Sequence, residues 1–187
     1  YSTLYKAIGM ANSVIKYAPG VRSIDNTYYE SMMKSNLCEA YFIRSYCYLI
    51  LLKNYKEVPL ITDAYVDDRQ NFNQPKASDI QIVNQIKKDV TTALATGAAK
   101  TTYSEDWQTK GRATKWALYA VMADVCLWNE DYDECIKYCD LILHATDTFR
   151  PVFMTNTADW FTMFYPGNSN ESVLELNWNY STGQETN

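Results

Sequence analysis

Apolar residues return every three or four positions along most of the chain, the spacing of helices that bury one face. In YSTLYKAIGMANSVIKYAPG, Leu4, Ile8, Ala11 and Ile15 follow at steps of four, three and four, predicting a first helix that stops at Pro19-Gly20. From about Tyr28 to Tyr55 two faces are apolar, Leu37, Tyr41, Tyr48 and Leu52 on one and Ala40, Ile43, Cys47 and Ile50 on the other, which predicts a central, largely buried helix. Pro59 ends it, and a polar excursion to Pro75 follows. Ser78 and Gln81 have capping-box spacing, with Ile80, Val83, Ile86, Val90 and Leu94 on one face of a third helix reaching about Thr96. Residues 97–110 read as a second loop. Thr114 can cap a fourth helix to about Trp128, and Asp131 with Glu134 a fifth to about His144. Beyond Pro151 the period changes: SVLELNW alternates, with Leu174, Leu176 and Trp178 on one face, and predicts one short strand.

In GRATKWALYAVMADVCLWNEDYDECIKYC two small residues, Ala123 and Cys135, stand where a tetratricopeptide-type hairpin brings two antiparallel helices closest. Met122, Cys126, Leu127, Ile136 and Cys139 would supply the surrounding contacts, and the turn NEDYDE has the length that such neighbours need. Ser45 and Tyr48 sit in the central helix much as Ala123 and Cys126 do in the fourth. That predicts an earlier, degenerate hairpin whose partner helix starts at Ser78 and which the excursion over 57–77 interrupts. The fold expected is mainly all-α, an α-α superhelix of tetratricopeptide-like hairpins with long loops and one short C-terminal strand. It forms one domain, with a repeat core over 1–146 and a loop and strand extension over 147–187.

Composition narrows the function. A net charge of −5 without a Lys/Arg cluster lacks the footprint of nucleic-acid or anionic-lipid binding. No apolar run approaches eighteen residues, so the sequence carries neither a membrane span nor a signal peptide, and a chain opening on Tyr1 reads as a piece of a longer one. The five cysteines all fall inside helical apolar patterns and read as small hydrophobes; Cys135 and Cys139 with Cys126 and His144 match no zinc spacing. His144 is the sole imidazole, placed to cap its helix, and no zincin, phosphate-loop, dinucleotide or nucleophile-elbow pattern occurs. The reading is a non-enzyme without cofactor or metal.

Four stretches in order, AIGMANSVI, CEAYFIRSYCYLILLKNYKEVPLI, the 111–139 hairpin and NESVLELNW, resemble the SusD/RagB family of Bacteroidetes outer-membrane lipoproteins. The ordered set is Glu39-Ala40 with Arg44 and Tyr48, Val58-Pro59-Leu60, Gly111-Arg112-Ala113-Thr114, then Glu171. Two positions depart from the pattern: Glu57 stands where Gly is usual and Cys135 where Ala is usual. The resemblance implies a helical-repeat core with loops that bind oligosaccharide or another nutrient at the cell surface, seated over a TonB-dependent, SusC-like transporter. It also implies an outer-membrane lipoprotein whose lipid anchor and C-terminal part lie outside this segment, and a bacterial origin in which the sequons at Asn170 and Asn179 carry no meaning.

Sugars offer flat C–H faces ringed by hydroxyls, so exposed aromatic planes beside Asn, Asp, Gln or Arg are the residues to seek. Tyr103 and Trp107, Trp160 beside Asp159, and Trp178 with Tyr180 beside Asn177 and Asn179 meet that description. Tyr41, Tyr46, Tyr48 and Trp116 are assigned to packing or a transporter interface, and Arg44 and Arg112 to structural contacts. A tetratricopeptide-like adaptor that grips protein rather than glycan is the alternative.

Overall fold

The computed structural model describes residues 1–67, 70–165 and 167–176. Five long helices, α1 (Ser2–Val21), α2 (Glu30–Tyr55), α3 (Asp79–Ala95), α5 (Lys115–Trp128) and α6 (Tyr132–Leu143), stack in chain order. A short α4 (Asp106–Gly111) enters before α5. Strands β1 (Val58–Pro59) and β2 (Lys76–Ala77) pair antiparallel, Val58 opposite Ala77, and close the base of the excursion. The hairpins α2/α3 and α5/α6 pack through α3 against α5, the arrangement expected of tetratricopeptide-like repeats. Their common core includes Tyr48, Leu51, Leu52, Ile82, Ile86 and Leu118, all fully buried.

Most boundaries follow local chemistry. Ser78 accepts the Gln81 amide while the Gln81 side chain accepts the Ser78 amide, completing the capping box of α3. Thr114 caps α5 by accepting the Ala117 amide at 3.2 Å. Several expectations are corrected. Pro19 lies inside α1, which runs on to Val21: without an N–H it forfeits one intrahelical bond, but this near the helix end the turn survives. Asp131 makes no cap on α6, because its carboxylate instead takes Lys87 of α3 and the Asn129 amide. Residues 106–111 form α4 rather than loop.

Described residues 172–176 form no strand, and 177–178 lie outside the described residues. Alternation makes a strand only where a ladder is offered, and the Glu175 N–H bonds to the carbonyl of Lys110 in α4. On α3, Ile80 is exposed, and the buried stripe runs through Ile82, Val83, Ile86 and Val90 and includes a charge, Asp89. Between α5 and α6, Ala123 is buried and Cys135 half-buried against the core. Leu127 and Ile136 turn outward, and the Tyr119 and Tyr138 rings meet at 5.8 Å instead.

Asp89 and Arg44 form a buried bidentate pair, Nε to Oδ2 at 2.7 Å and Nη2 to Oδ1 at 2.6 Å, joining α2 to α3. Arg44 Nη1 also donates to Asn12 Oδ1 at 2.8 Å and to the Thr62 carbonyl at 3.2 Å. Asn12 Nδ2 donates to the carbonyls of Ile61 and Asp63, each at 3.0 Å, and Tyr48 exchanges hydrogen bonds with both backbone groups of Ile61. Tyr5 donates to the Pro59 carbonyl at 2.6 Å. The excursion is therefore fastened to α1 and α2 by buried polar side chains.

The chain leaves α2 through a strained turn. Lys56 has φ 59° and ψ −70°, and the Glu57 N–H closes onto the Tyr55 carbonyl at 2.7 Å, a γ-turn of the disfavoured hand. The glycine usual at 57 is thus not required there; the position needing one is Lys56.

Two outcomes follow in urea unfolding. Arg44→Met strands the Asp89 carboxylate in the core and costs about 3–5 kcal/mol, and the double variant with Asp89→Leu lies between it and the wild type. Lys56→Gly relieves the turn and raises stability by about 1 kcal/mol, strain relief outweighing the added freedom of the unfolded chain.

Candidate ligand-binding surface

The loop residues singled out as aromatic platforms divide sharply. Tyr103 is half-buried: its hydroxyl donates to the Ala113 carbonyl at 2.8 Å, and its amide donates to Thr109 Oγ1 at 2.8 Å. The Arg112 guanidinium lies 4.3 Å from its ring centre and the Lys100 ammonium 4.8 Å. Burial pushes its phenol above the usual range, and Glu39 adds to the effect. Arg112 is in turn fixed by Glu39, Nη2 to Oε1 at 2.7 Å and Nε to Oε2 at 3.1 Å. The ring is thereby enclosed in a polar knot at the entrance to α5. Trp107, on α4, is exposed.

Trp160 is exposed as well, on a 3-10 helix spanning Thr157–Met163, its ring edge-on to Phe164 at 5.1 Å. Asn156 starts that helix by accepting the Ala158 amide at 3.0 Å, and its own amide donates to Asp159 Oδ2 at 3.1 Å. Side-chain amide, carboxylate and indole thus share one turn. Around Trp160 the sequence reading missed Phe149, Phe153, Phe161, Phe164 and Tyr165, every one exposed. The signal was visible as an aromatic density over 149–165 that no other stretch of loop matches. Trp178 and Tyr180 lie outside the described residues.

The aromatic segment is held by its backbone. The Val152 amide donates to the Asn170 carbonyl at 3.1 Å and the Met154 amide to Glu171 Oε2 at 2.8 Å. Glu171 is the last residue of the ordered motif set, and its carboxylate ties two loops. Between these loops and α6 opens a cavity of about 310 Å³, apolar through Ile142, Leu143, Val152, Phe153 and Val173.

The helix aromatics are structural. Tyr48 and Trp116 are buried, the Trp116 indole donating to the Thr101 carbonyl at 3.1 Å. Tyr46 stacks on Phe42, and Tyr41 lies beneath Arg44. Cys38, Cys47 and Cys126 are buried, with burial pushing the first two thiols up to about 11; Cys135 and Cys139 are half-buried. His144 stands exposed at the end of α6, Nδ1 3.4 Å from Asp140. No described helix is long and apolar enough to cross a membrane.

Similarity to known proteins agrees with this architecture. The model of a SusD-like family described as "Starch-binding associating with outer membrane" matches residues 1–127, and the chain belongs to that family. Among solved structures, a laminarin-binding SusD-like protein superposes with a TM-score of 0.76 at 23% identity, over 93% of this chain and 36% of that one. A SusD-superfamily protein from Bacteroides thetaiotaomicron gives 0.74 at 23%, over 90% and 39%. A structure with xylogluco-oligosaccharide gives 0.69 at 24%, over 95% and 35%. The chain thus spans little more than a third of each. Among curated protein sequences nothing matches.

The contrast between the two rings sets a stability test. Tyr103→Phe removes a hydrogen bond from the half-buried knot and costs about 1 kcal/mol. Trp160→Ala shifts the urea midpoint by no more than about 0.5 kcal/mol in equivalent stability.

Proposed function

We propose that this chain is the repeat-bearing part of a non-catalytic glycan-binding protein, which holds oligosaccharide against the aromatic face around Trp160 and passes it to a TonB-dependent, SusC-like transporter. The observation that carries the reading is an indole exposed on the same turn as Asn156 and Asp159, the pairing that a sugar's flat face and hydroxyl rim call for. Two of the similar structures are named for laminarin binding and for a xylogluco-oligosaccharide, which makes β-linked glucans the first ligands to try. Trp107 on α4 is a second platform, while Tyr103 positions the start of α5. Trp178 and Tyr180 stay candidates on sequence grounds.

The longer protein is a surface lipoprotein of the outer membrane, and recognition there is binding without turnover. His144, beside Asp140 and exposed at the end of α6, is placed for a helix-end contact rather than general-base work. An adaptor role is favoured by one feature, the outward Tyr132, Ile136, Leu141 and Leu143 of α6, which suit a protein partner.

Affinity electrophoresis of the full-length protein on laminarin, xyloglucan and starch gels decides between them. Retardation in at least one gel is expected, and Trp160→Ala should weaken it by tenfold or more, equivalent to about 1.4 kcal/mol. Retention unchanged by that substitution would remove Trp160 from the site. No retention in any gel, with a transporter still co-purifying, would favour the adaptor.

A further inference from the structure

Lysine is seldom buried without a carboxylate at its ammonium, yet Lys110, near the end of α4, is 7% exposed and its Nζ donates to a backbone carbonyl, that of Ser172, at 2.6 Å. Its own carbonyl accepts the Glu175 N–H at 2.8 Å, so one residue grips the 172–175 segment at two points. Residues 168–175, which include that segment, hold both ends of the aromatic loop. At the near end, Val152 and Met154 donate to Asn170 and Glu171. At the far end, the Asn168 amide donates to both carboxylate oxygens of Glu175 at 2.9 Å.

That far end depends on a left-handed pair, Gly167 at φ 85° and Asn168 at φ 57°. A Cβ at Gly167 would come within 2.9 Å of Glu175 Oε2, so the carboxylate sits against bare backbone. Through these bonds the loop bearing Trp160 is tied to the 168–175 segment, which Lys110 fastens to α4 beside the core contacts of Val173 and Leu174. Trp107 lies on the same short helix, one turn before Lys110. Burial lowers the lysine's proton affinity, while Glu175 and Asp106 partly restore it.

We propose that Lys110 is a positioning residue for glycan binding: its buried ammonium locks the 168–175 segment onto α4, and so fixes where the Trp160 face stands relative to Trp107. The role in affinity rests on the proposed function; the lock itself does not. An apolar residue of the same length would fill the volume and leave the Ser172 carbonyl without its donor. Preorganisation of the loop, rather than contact with ligand, is what Lys110 supplies.

The test uses the full-length protein with Lys110→Met, Lys110→Arg and, as an independent strike at the same lock, Gly167→Ala. Hydrogen–deuterium exchange without ligand should rise at least tenfold in peptides covering 150–156 and 168–175 for Lys110→Met and Gly167→Ala, with α2, α3 and α5 as protected as in the wild type. Laminarin or xyloglucan should bind at least tenfold more weakly through faster dissociation, with Lys110→Arg recovering part of the loss. Unchanged exchange in those peptides overturns the lock. Raised exchange with unaltered glycan affinity overturns the positioning role. If the wild type itself retains no glycan, the functional reading fails, and the exchange result alone decides whether Lys110 holds the loop.

Discussion

Two opposite charges buried between α2 and α3 constrain everything built around them. Helices packed only through aliphatic side chains have near-equivalent arrangements one turn apart, since ridges and grooves repeat. A guanidinium and a carboxylate in a medium of low dielectric do not: sliding either helix would leave both charges unpaired, at several kcal/mol each. Arg44 meets Asp89 through two bonds, and its remaining nitrogen reaches Asn12 on α1 and the Thr62 carbonyl beyond β1. One side chain therefore registers three helices and the start of the excursion. Ala123 is buried and Cys135 half-buried where α5 packs on α6, but it is this polar centre that selects one stacking of the first three helices.

The helices were legible because their apolar spacing, capping residues and prolines are local signals, and the capping box at Ser78 and the cap at Thr114 appear as read. What was not legible depended on partners distant in sequence. Asp89 looks like a solvent-facing residue until Arg44, 45 positions away, is placed opposite it. Asp131 looks like a cap until Lys87 claims it. Leu127 and Ile136 fit the apolar pattern of their helices yet face outward, because α6 packs chiefly on α5 and much of its surface is left uncovered by the described residues. The alternation of 172–176 suggests a strand, but among the described residues no strand lies beside it, and α4 takes its hydrogen bond.

The candidate surface was half legible for the same reason. Residue type and loop position single out Tyr103, Trp107 and Trp160 alike, and only the surroundings separate them. Tyr103 has a hydroxyl that can be satisfied inside the protein and two cations to lie under, so it became part of the scaffold. The Trp160 indole has one donor and a large apolar face, and on its 3-10 helix it lies exposed with Phe164 edge-on beside it. Glu171 and Lys110 carry no aromatic signal at all. Their importance lies in which backbone groups they meet, and that cannot be read from spacing.

A segment that turns its aromatic residues outward cannot also use them as anchors. Six exposed rings between 149 and 165 leave little apolar burial to hold that stretch in place, so its order must come from elsewhere. The structure supplies it through main-chain donors: the amides of Val152 and Met154 end on acceptors at Asn170 and Glu171, and the Asn168 amide closes the following turn onto Glu175, two of the three acceptors being glutamate carboxylates, which make the stronger bonds. Charged acceptors at 171 and 175 and a buried donor at 110 are thus the counterpart of the exposed rings. The polar groups hold the backbone while the apolar faces stay exposed.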